Sequence, residues 1–268
     1  MTVVPSSGFS RQLSTALRRW WREQARAKGA AGATSLLARN LWAFARESTP
    51  ERRRQRYGDM EYDWENRVNT TSGTVDWRAR LLGLLHSPYQ PTEPALFREM
   101  MASLPIEFDR FAFVDLGSGK GRTLLMASEY RFRKIVGVEL ITELHRAAEE
   151  NIRVYHSAKQ RCTQIEAVCM DACEFVLPET PLVLYLFNPL SEAGLRRVLR
   201  NLEQSLEQSP RPVWIVYHNP AMDSILEASR ALVKVGGTEQ YSVFTSEPGF
   251  KVAEFQGFKD PSLRIHQP

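Results

Sequence analysis

Phe113-Val114-Asp115-Leu116-Gly117-Ser118-Gly119-Lys120-Gly121-Arg122 joins an apolar run to a helical run through three closely spaced glycines, with an acid just ahead of them. Phe111 to Leu116 reads as a buried strand, and Arg122 to Glu129 as a helix whose apolar face includes Leu125 and Met126. Glycines at this spacing let the backbone turn sharply and come close to a ligand, as in nucleoside-binding turns. Outward from the turn, Lys134 to Val138 is a second strand and ends at Glu139. Strand, glycine turn, helix and acid-tipped strand make one βαβ unit. Glu139 falls at the carboxyl edge of the sheet, placed to accept hydrogen bonds from ribose hydroxyls.

Two other ligand classes compete for such a unit. A phosphate loop needs Gly-x-x-x-x-Gly-Lys-Ser/Thr, but Val114 stands at the first glycine and Gly121 at the hydroxyl. A dinucleotide turn prefers Gly-x-Gly-x-x-Gly; here the third glycine comes one residue early, and Asp115 would repel a pyrophosphate. An acid at that point suits a cationic ligand. Asp-x-Gly-x-Gly-x-Gly resembles motif I of the class I, seven-strand S-adenosylmethionine-dependent methyltransferases, whose cofactor carries an ammonium and a sulfonium.

The following segments extend the resemblance. Ile165 to Met170 is an apolar run closed by Asp171-Ala172, where this family turns an acid toward the adenine amino group; the competing reading of Asp171 is a helix N-cap before Cys173 to Leu177. Pro181 to Phe187 is an uncharged strand ending at Asn188-Pro189-Leu190. This resembles the family's Asn/Asp-Pro-Pro-aromatic element of amine methyltransferases but departs from it, with Leu190 after a single proline. Asn188 supplies the orienting amide, and the stacking ring has to come from Phe187 or Tyr217. Read blandly, Asn188-Pro189 is a turn that starts the helix Ser191 to Leu206. Val213 to Tyr217 reads as a fifth strand ending in His218-Asn219-Pro220, a lone histidine being more often structural. Tyr241 to Thr245 with Phe250 to Phe258 reads as an antiparallel hairpin across Ser246-Glu247-Pro248-Gly249. In Thr142 to Gln160, Leu144, Ala148, Ile152 and Tyr155 recur at helical spacing as core positions.

Ahead of the glycine turn, His86-Ser87-Pro88-Tyr89-Gln90-Pro91-Thr92-Glu93-Pro94 leads into a helix over Ala95 to Leu104, with Thr92 or Glu93 at its N-terminus. A Tyr-x-Pro-Thr loop there resembles the loop that closes over the methionine end in seven-strand protein lysine methyltransferases, including histone methyltransferases that lack a SET domain. The resemblance runs from Tyr89 to Phe258. It implies an α/β, three-layer Rossmann-like fold, with a mostly parallel seven-strand sheet ending in an antiparallel hairpin. It also implies S-adenosylmethionine as cofactor, with Asp115, Gly117, Ser118, Gly119 and Gly121 at the methionine end, Glu139 on ribose and Asp171 on adenine. Asn188 and Tyr89 are the implied catalytic pair, and Thr92 and Asn188 line both cofactor and transfer site.

The composition is ordinary for a globular protein: 268 residues, 43% hydrophobic and 25% charged. No apolar run is long enough to span a bilayer, and the start lacks a signal-peptide core, so a cytoplasmic location is expected. Cys162, Cys169 and Cys173 have no histidine at ligand spacing, so no metal site is expected and buried or half-buried free thiols are.

The net charge of +4 is unevenly placed, because Arg11, Arg18, Arg19, Arg22, Arg26, Lys28, Arg39, Arg46, Arg52, Arg53, Arg54 and Arg56 face few acids. Leu13, Leu17, Trp20, Trp21 and Ala25 form one helical stripe, and Leu37, Leu41 and Phe44 another, either side of Gly29-Ala30-Ala31-Gly32-Ala33. The resulting division is a basic amphipathic helical extension over 1–60, a cofactor-covering segment over 61–94 and a methyltransferase domain over 95–268. The two basic helices either pack on the catalytic domain or meet an anionic surface, nucleic acid or lipid; an Arg-rich start also resembles an organelle transit peptide. The leading expectation is an N-methyltransferase acting on protein lysine. Its alternatives are a nucleic-acid (RNA) methyltransferase guided by the basic N-terminus, a small-molecule methyltransferase, and a non-catalytic S-adenosylmethionine-binding protein.

Overall fold

The computed structural model describes residues 6–47, 60–72, 75 and 89–247, with the side chains of the first helix from Leu13 to Trp42. Its centre is a seven-stranded sheet: β1 Ala112–Leu116, β2 Lys134–Glu139, β3 Ile165–Cys169, β4 Leu182–Phe187, β5 Val213–His218, β6 Val233–Gly237 and β7 Tyr241–Thr245. The strand order is β3-β2-β1-β4-β5-β7-β6. The first five strands pair in parallel, and β7 runs antiparallel to both β5 and β6. The central strands β1, β4 and β5 are apolar along nearly their whole length because parallel strands are covered on both faces.

Side chains alternate between two buried layers, as the two-residue period of a strand requires. Phe113, Tyr185, Trp214 and Val216 point to one layer, with Phe97, Met100 and Leu124. Those last three come from helices α3 Pro94–Ala102 and α4 Arg122–Ala127, numbered after α1 Ser6–Glu47 and α2 Met60–Asn66. Val114, Leu184, Leu186 and Ile215 point to the other, with Leu195, Val198 and Leu202 of α6 Glu192–Gln208 and Leu226 of α7 Asp223–Glu227. Helix α5 Thr142–Val154 links β2 to β3. Each fully buried large apolar side chain contributes on the order of 1.5–3 kcal/mol, so these layers dominate the stability. The order reverses between β1 and β4, and the cleft above the carboxyl ends at such a reversal is the binding place of open α/β sheets.

Several local expectations are corrected. The hairpin partner of β7 is the preceding strand β6; both edges of β7 are taken, by β5 and β6, and Phe250 to Phe258 lies outside the described residues. Strand β6 was hidden because Val233-Lys234-Val235-Gly236-Gly237 is short and glycine-ended. Cys173 to Leu177 is not a helix but a single 3-10 turn, Ala172–Glu174. Helix α5 stops at Val154, since Tyr155 turns to extended backbone. Cys162 and Cys173 are buried as expected, whereas Cys169 is exposed on the edge strand β3.

The expected five-residue break in the N-terminal segment shrinks to one. Gly29 alone leaves helical geometry, at φ 73° and ψ 167°, and helix resumes at once in the alanine-rich stretch. Trp20 and Ala16 from before the bend pack with Ile141 and Leu144, joined by Leu36 and Leu37 from after it. Leu17 and Leu41, expected on the apolar stripes, are exposed, as is Trp42. No described helix is long and apolar enough to cross a membrane.

Candidate functional site

The glycine turn leaves β1 in left-handed geometry, with φ of 97° at Gly117, 55° at Gly119 and 83° at Gly121, which side chains with a Cβ rarely adopt. The Gly117 and Ser118 N–H groups donate to the Val138 carbonyl at 2.8 and 3.1 Å, hooking the turn onto β2. Gly119 N–H donates to Glu139 Oε2 at 2.9 Å, and Ile141 N–H to Glu139 Oε1 at 2.7 Å. Burial pushes the Glu139 pKa up, and these N–H donors oppose the shift. Close approach also brings in distant residues. A Cβ at Gly119 would run into the Tyr89 ring, and one at Gly117 into Cβ of Pro189.

Asp115 lies near the end of β1 and is buried. Thr123 Oγ1 donates to its Oδ2, while Oδ1 has no partner among the described residues. Burial pushes its pKa up to about 7 against the Thr123 hydrogen bond, and the nearby Glu139 charge adds to the rise. Opposite it in register stands Tyr185 on β4. The Tyr185 hydroxyl lies 2.8 Å from both Thr92 Oγ1 and His218 Nδ1. Burial lowers the His218 pKa to about 4, so the ring is neutral near pH 7, and it stacks on Phe187 at 3.7 Å between centroids.

Asn188 follows β4 in a left-handed conformation, φ 45°, and its Oδ1 accepts from the Tyr217 hydroxyl at 3.0 Å. Tyr217 therefore orients the amide from behind and does not line the cavity; of the two candidate stacking rings, only Phe187 does. Tyr89 is held by its hydroxyl, which donates to the Thr70 carbonyl at 2.5 Å.

Sequence reasoning assigned no role to Lys120 and Arg122, which stand either side of Gly121. Both are buried, and both tie the turn to residues 60–72. Arg122 pairs with Asp63 at 3.3 Å and donates to Thr70 Oγ1 at 2.6 Å, while Asp63 Oδ2 accepts from the Thr70 and Thr71 N–H groups. Lys120 Nζ donates to the Thr71 carbonyl at 2.9 Å. Asn151 of α5 completes the lacing, with Nδ2 donating to the Lys120 and Asn69 carbonyls. Two cations inside a tight glycine turn were the available signal, since burying them demands acceptors close by.

One cavity of about 320 Å³ sits over the sheet edge. Every expected site residue faces it except Gly121, whose left-handed backbone starts α4 and packs on Ala148. Asp171 is an N-cap, the second of its two expected readings, though of a 3-10 turn and not of a helix. Its Oδ1 accepts from Cys173 N–H at 2.9 Å, capping the 3-10 turn, and its Oδ2 forms an ion pair with Arg19 of α1. Arg19, Trp20 and Glu23 complete the cavity wall at that end, which the sequence did not indicate.

S-adenosylmethionine fits this donor set. Asp115 Oδ1 and Ser118 Oγ are buried polar atoms with no partner among the described residues, in side chains that line the cavity, and the carboxylates suit a cationic ligand. No group of three metal-ligating side chains exists among the described residues.

A family model described as "Histone methylation protein DOT1" matches residues 86–175. No curated protein matches the chain. Among solved structures, an RNA methyltransferase from Salinibacter ruber in complex with S-adenosyl-L-homocysteine is 20% identical, with 58% of this chain and 92% of that one covered and a TM-score of 0.38. A TehB-like SAM-dependent methyltransferase from Corynebacterium glutamicum is 17% identical, with 56% and 86% covered and a TM-score of 0.40. A dimethyladenosine transferase from Plasmodium falciparum is 10% identical, with 59% and 62% covered and a TM-score of 0.42.

Proposed function

We propose that this chain, a class I S-adenosylmethionine-dependent methyltransferase, transfers methyl to the side-chain amine of a protein lysine. The observation that carries the proposal is the contact of the glycine turn with two elements from elsewhere in the chain. Tyr89 lies on Gly119 and Pro189 on Gly117, so the Asn188 amide and the Tyr89 ring stand beside the turn that holds the donor. A protein acceptor is further supported by the histone methylation named in the matching family's description.

When bound, the cofactor supplies an electrophilic methyl on a sulfonium. Asp115 takes the ammonium at the methionine end, which the turn Gly117, Ser118 and Gly119 encloses. Glu139 takes the ribose hydroxyls through lone pairs not used by Gly119 and Ile141, and Asp171 takes the adenine amino group. Tyr217 engages one side of the Asn188 oxygen and leaves a second lone pair for an amine N–H. Tyr89, Thr92 and Phe187 shape the transfer site. The lysine ammonium must lose a proton to solvent before it attacks, and desolvation on entering the site would lower its pKa without a dedicated base. Alignment and exclusion of water then supply most of the rate.

The test is radiolabelled methyl transfer into cell extract, followed by protease or nuclease. Release of the label by protease, and its recovery as methyl-lysine after hydrolysis, is the expected result; release by nuclease alone would sink the proposal.

A nucleic-acid acceptor is the second reading, favoured by Arg18, Arg22, Arg26 and Lys28, which are exposed on α1. Deleting the helix would confuse the comparison, because Trp20 forms part of the cavity wall. Reversing the charge of Arg18, Arg22 and Arg26 is cleaner. Unchanged turnover on protein would exclude this reading, and loss of nucleic-acid binding together with activity would support it.

A further inference from the structure

Helix α1 reaches the far end of the cofactor cavity with three consecutive-turn residues, Arg19, Trp20 and Glu23. Trp20 fixes the approach, being buried among Ala16, Ile141 and Leu144 just beyond β2. The neighbouring Arg19 is thereby aimed at Asp171, 152 residues away in sequence, and its Nη1 pairs with Asp171 Oδ2. Its Nε lies 3.4 Å from Glu23 Oε1 and its Nη2 4.0 Å from Cys173 Sγ. With Cys173 N–H on Oδ1, both oxygens of Asp171 are engaged by the protein itself.

A guanidinium carries a full positive charge, so it pairs with a carboxylate more strongly than a neutral amino group does with the same oxygen. The aromatic amino group of adenine is such a neutral donor. A guanidinium beside the 6-position of a purine also favours a carbonyl there over an amino group, since it can only donate.

We infer that Arg19 is an affinity- and specificity-setting residue of the cofactor site, competing with the adenine amino group for Asp171. The N-terminal helix thus tunes how tightly the methyl donor is held. This inference rests on the assignment of Asp171 to adenine made above.

Calorimetric titration of the full chain with S-adenosylhomocysteine and with S-inosylhomocysteine, which carries a 6-carbonyl, separates the two. Arg19→Ala should tighten S-adenosylhomocysteine on the order of fivefold, the scale of a partly exposed ion pair, and weaken the inosyl analogue relative to it. Arg19→Lys, which keeps a cation at the end of a flexible stem, should fall between Arg19→Ala and the unaltered chain. Asp171→Ala should weaken S-adenosylhomocysteine, and in that background Arg19→Ala should have no further effect. If Arg19→Ala weakens or leaves unchanged the adenosyl ligand while Asp171→Ala weakens it, the competition is refuted and the Asp171 assignment stands. If Asp171→Ala changes neither affinity nor the adenosyl-to-inosyl ratio, the assignment itself falls.

Discussion

Asp115 carries the sharpest prediction, because the burial that shapes its site also sets the pH at which it can act. Its carboxyl has an ordinary pKa of 3.8 and is pushed up to about 7, chiefly by desolvation, with the Glu139 charge adding and the Thr123 hydroxyl opposing. Below about pH 7 the folded chain therefore holds a proton there and offers no charge to the cofactor ammonium. Binding selects the ionised form and releases that proton. The apparent dissociation constant scales as one plus ten to the power of pKa minus pH, so affinity should fall about tenfold between pH 8 and pH 6. Asp115→Asn copies the neutral state and should bind weakly at both pH values. Subtracting its pH profile from that of the unaltered chain removes the titration of the ligand's own amine. Folding shows the opposite preference. Between pH 3.8 and about 7 the native chain binds the proton and the unfolded chain does not, so stability falls as pH rises through this interval. At roughly 1.4 kcal/mol per pH unit the loss approaches ~4 kcal/mol by neutral pH, an upper bound on what Asp115→Asn recovers. Titration calorimetry with S-adenosylhomocysteine from pH 6 to 8.5, in buffers of differing ionisation enthalpy, reads both affinity and proton release. Parallel pH profiles for the two proteins, or no proton released at pH 6, would refute the reasoning.

Three further outcomes follow from the geometry. Asn188→Gly keeps the left-handed backbone and removes the amide, so kcat should drop by about a hundredfold while cofactor affinity, measured by calorimetry, stays within about twofold; weakened cofactor affinity with kcat intact would place Asn188 in cofactor binding alone. Gly119→Ala puts a methyl group into the Tyr89 ring at a φ of 55°, and should cost roughly 1–3 kcal/mol of stability together with most of the methyl transfer; retained single-turnover rates would show that the contact is dispensable. Arg122→Ala leaves Asp63 buried without its cation, a loss of about 3–5 kcal/mol that denaturant unfolding will register. A change below about 1 kcal/mol would mean that the pair adds little.

The regular elements were readable because their signals are local. The charge-free run from Leu182 to Phe187, the turn glycines, and the acids at the ends of β2 and β3 each depend on chain neighbours, and the sheet follows from their alternation with helices. Local reading failed where a non-local partner decided the outcome. The strand β6 ends in two glycines and pairs across a bulge at Lys234 and Gly236, so its register comes from β7 and not from its own pattern. Leu17 lies on the expected apolar stripe of α1 yet is exposed, because the helix is seated by Trp20 and Ala16 on α5.

The same division runs through the site. From the sequence, through its resemblance to a known family, came the methyl donor: Asp115, three glycines and Glu139 lie within one βαβ unit, whose strand–turn–helix–strand geometry brings them to one sheet edge. The surroundings of that unit were decided only in three dimensions. The chain Thr92, Tyr185 and His218, the lacing of Lys120 and Arg122 to residues 60–72, and the pairing of Arg19 with Asp171 all join segments far apart in sequence. Hydrogen bonds and ion pairs act over about 3 Å, so such partners become visible only when packing has set the distance between their backbones.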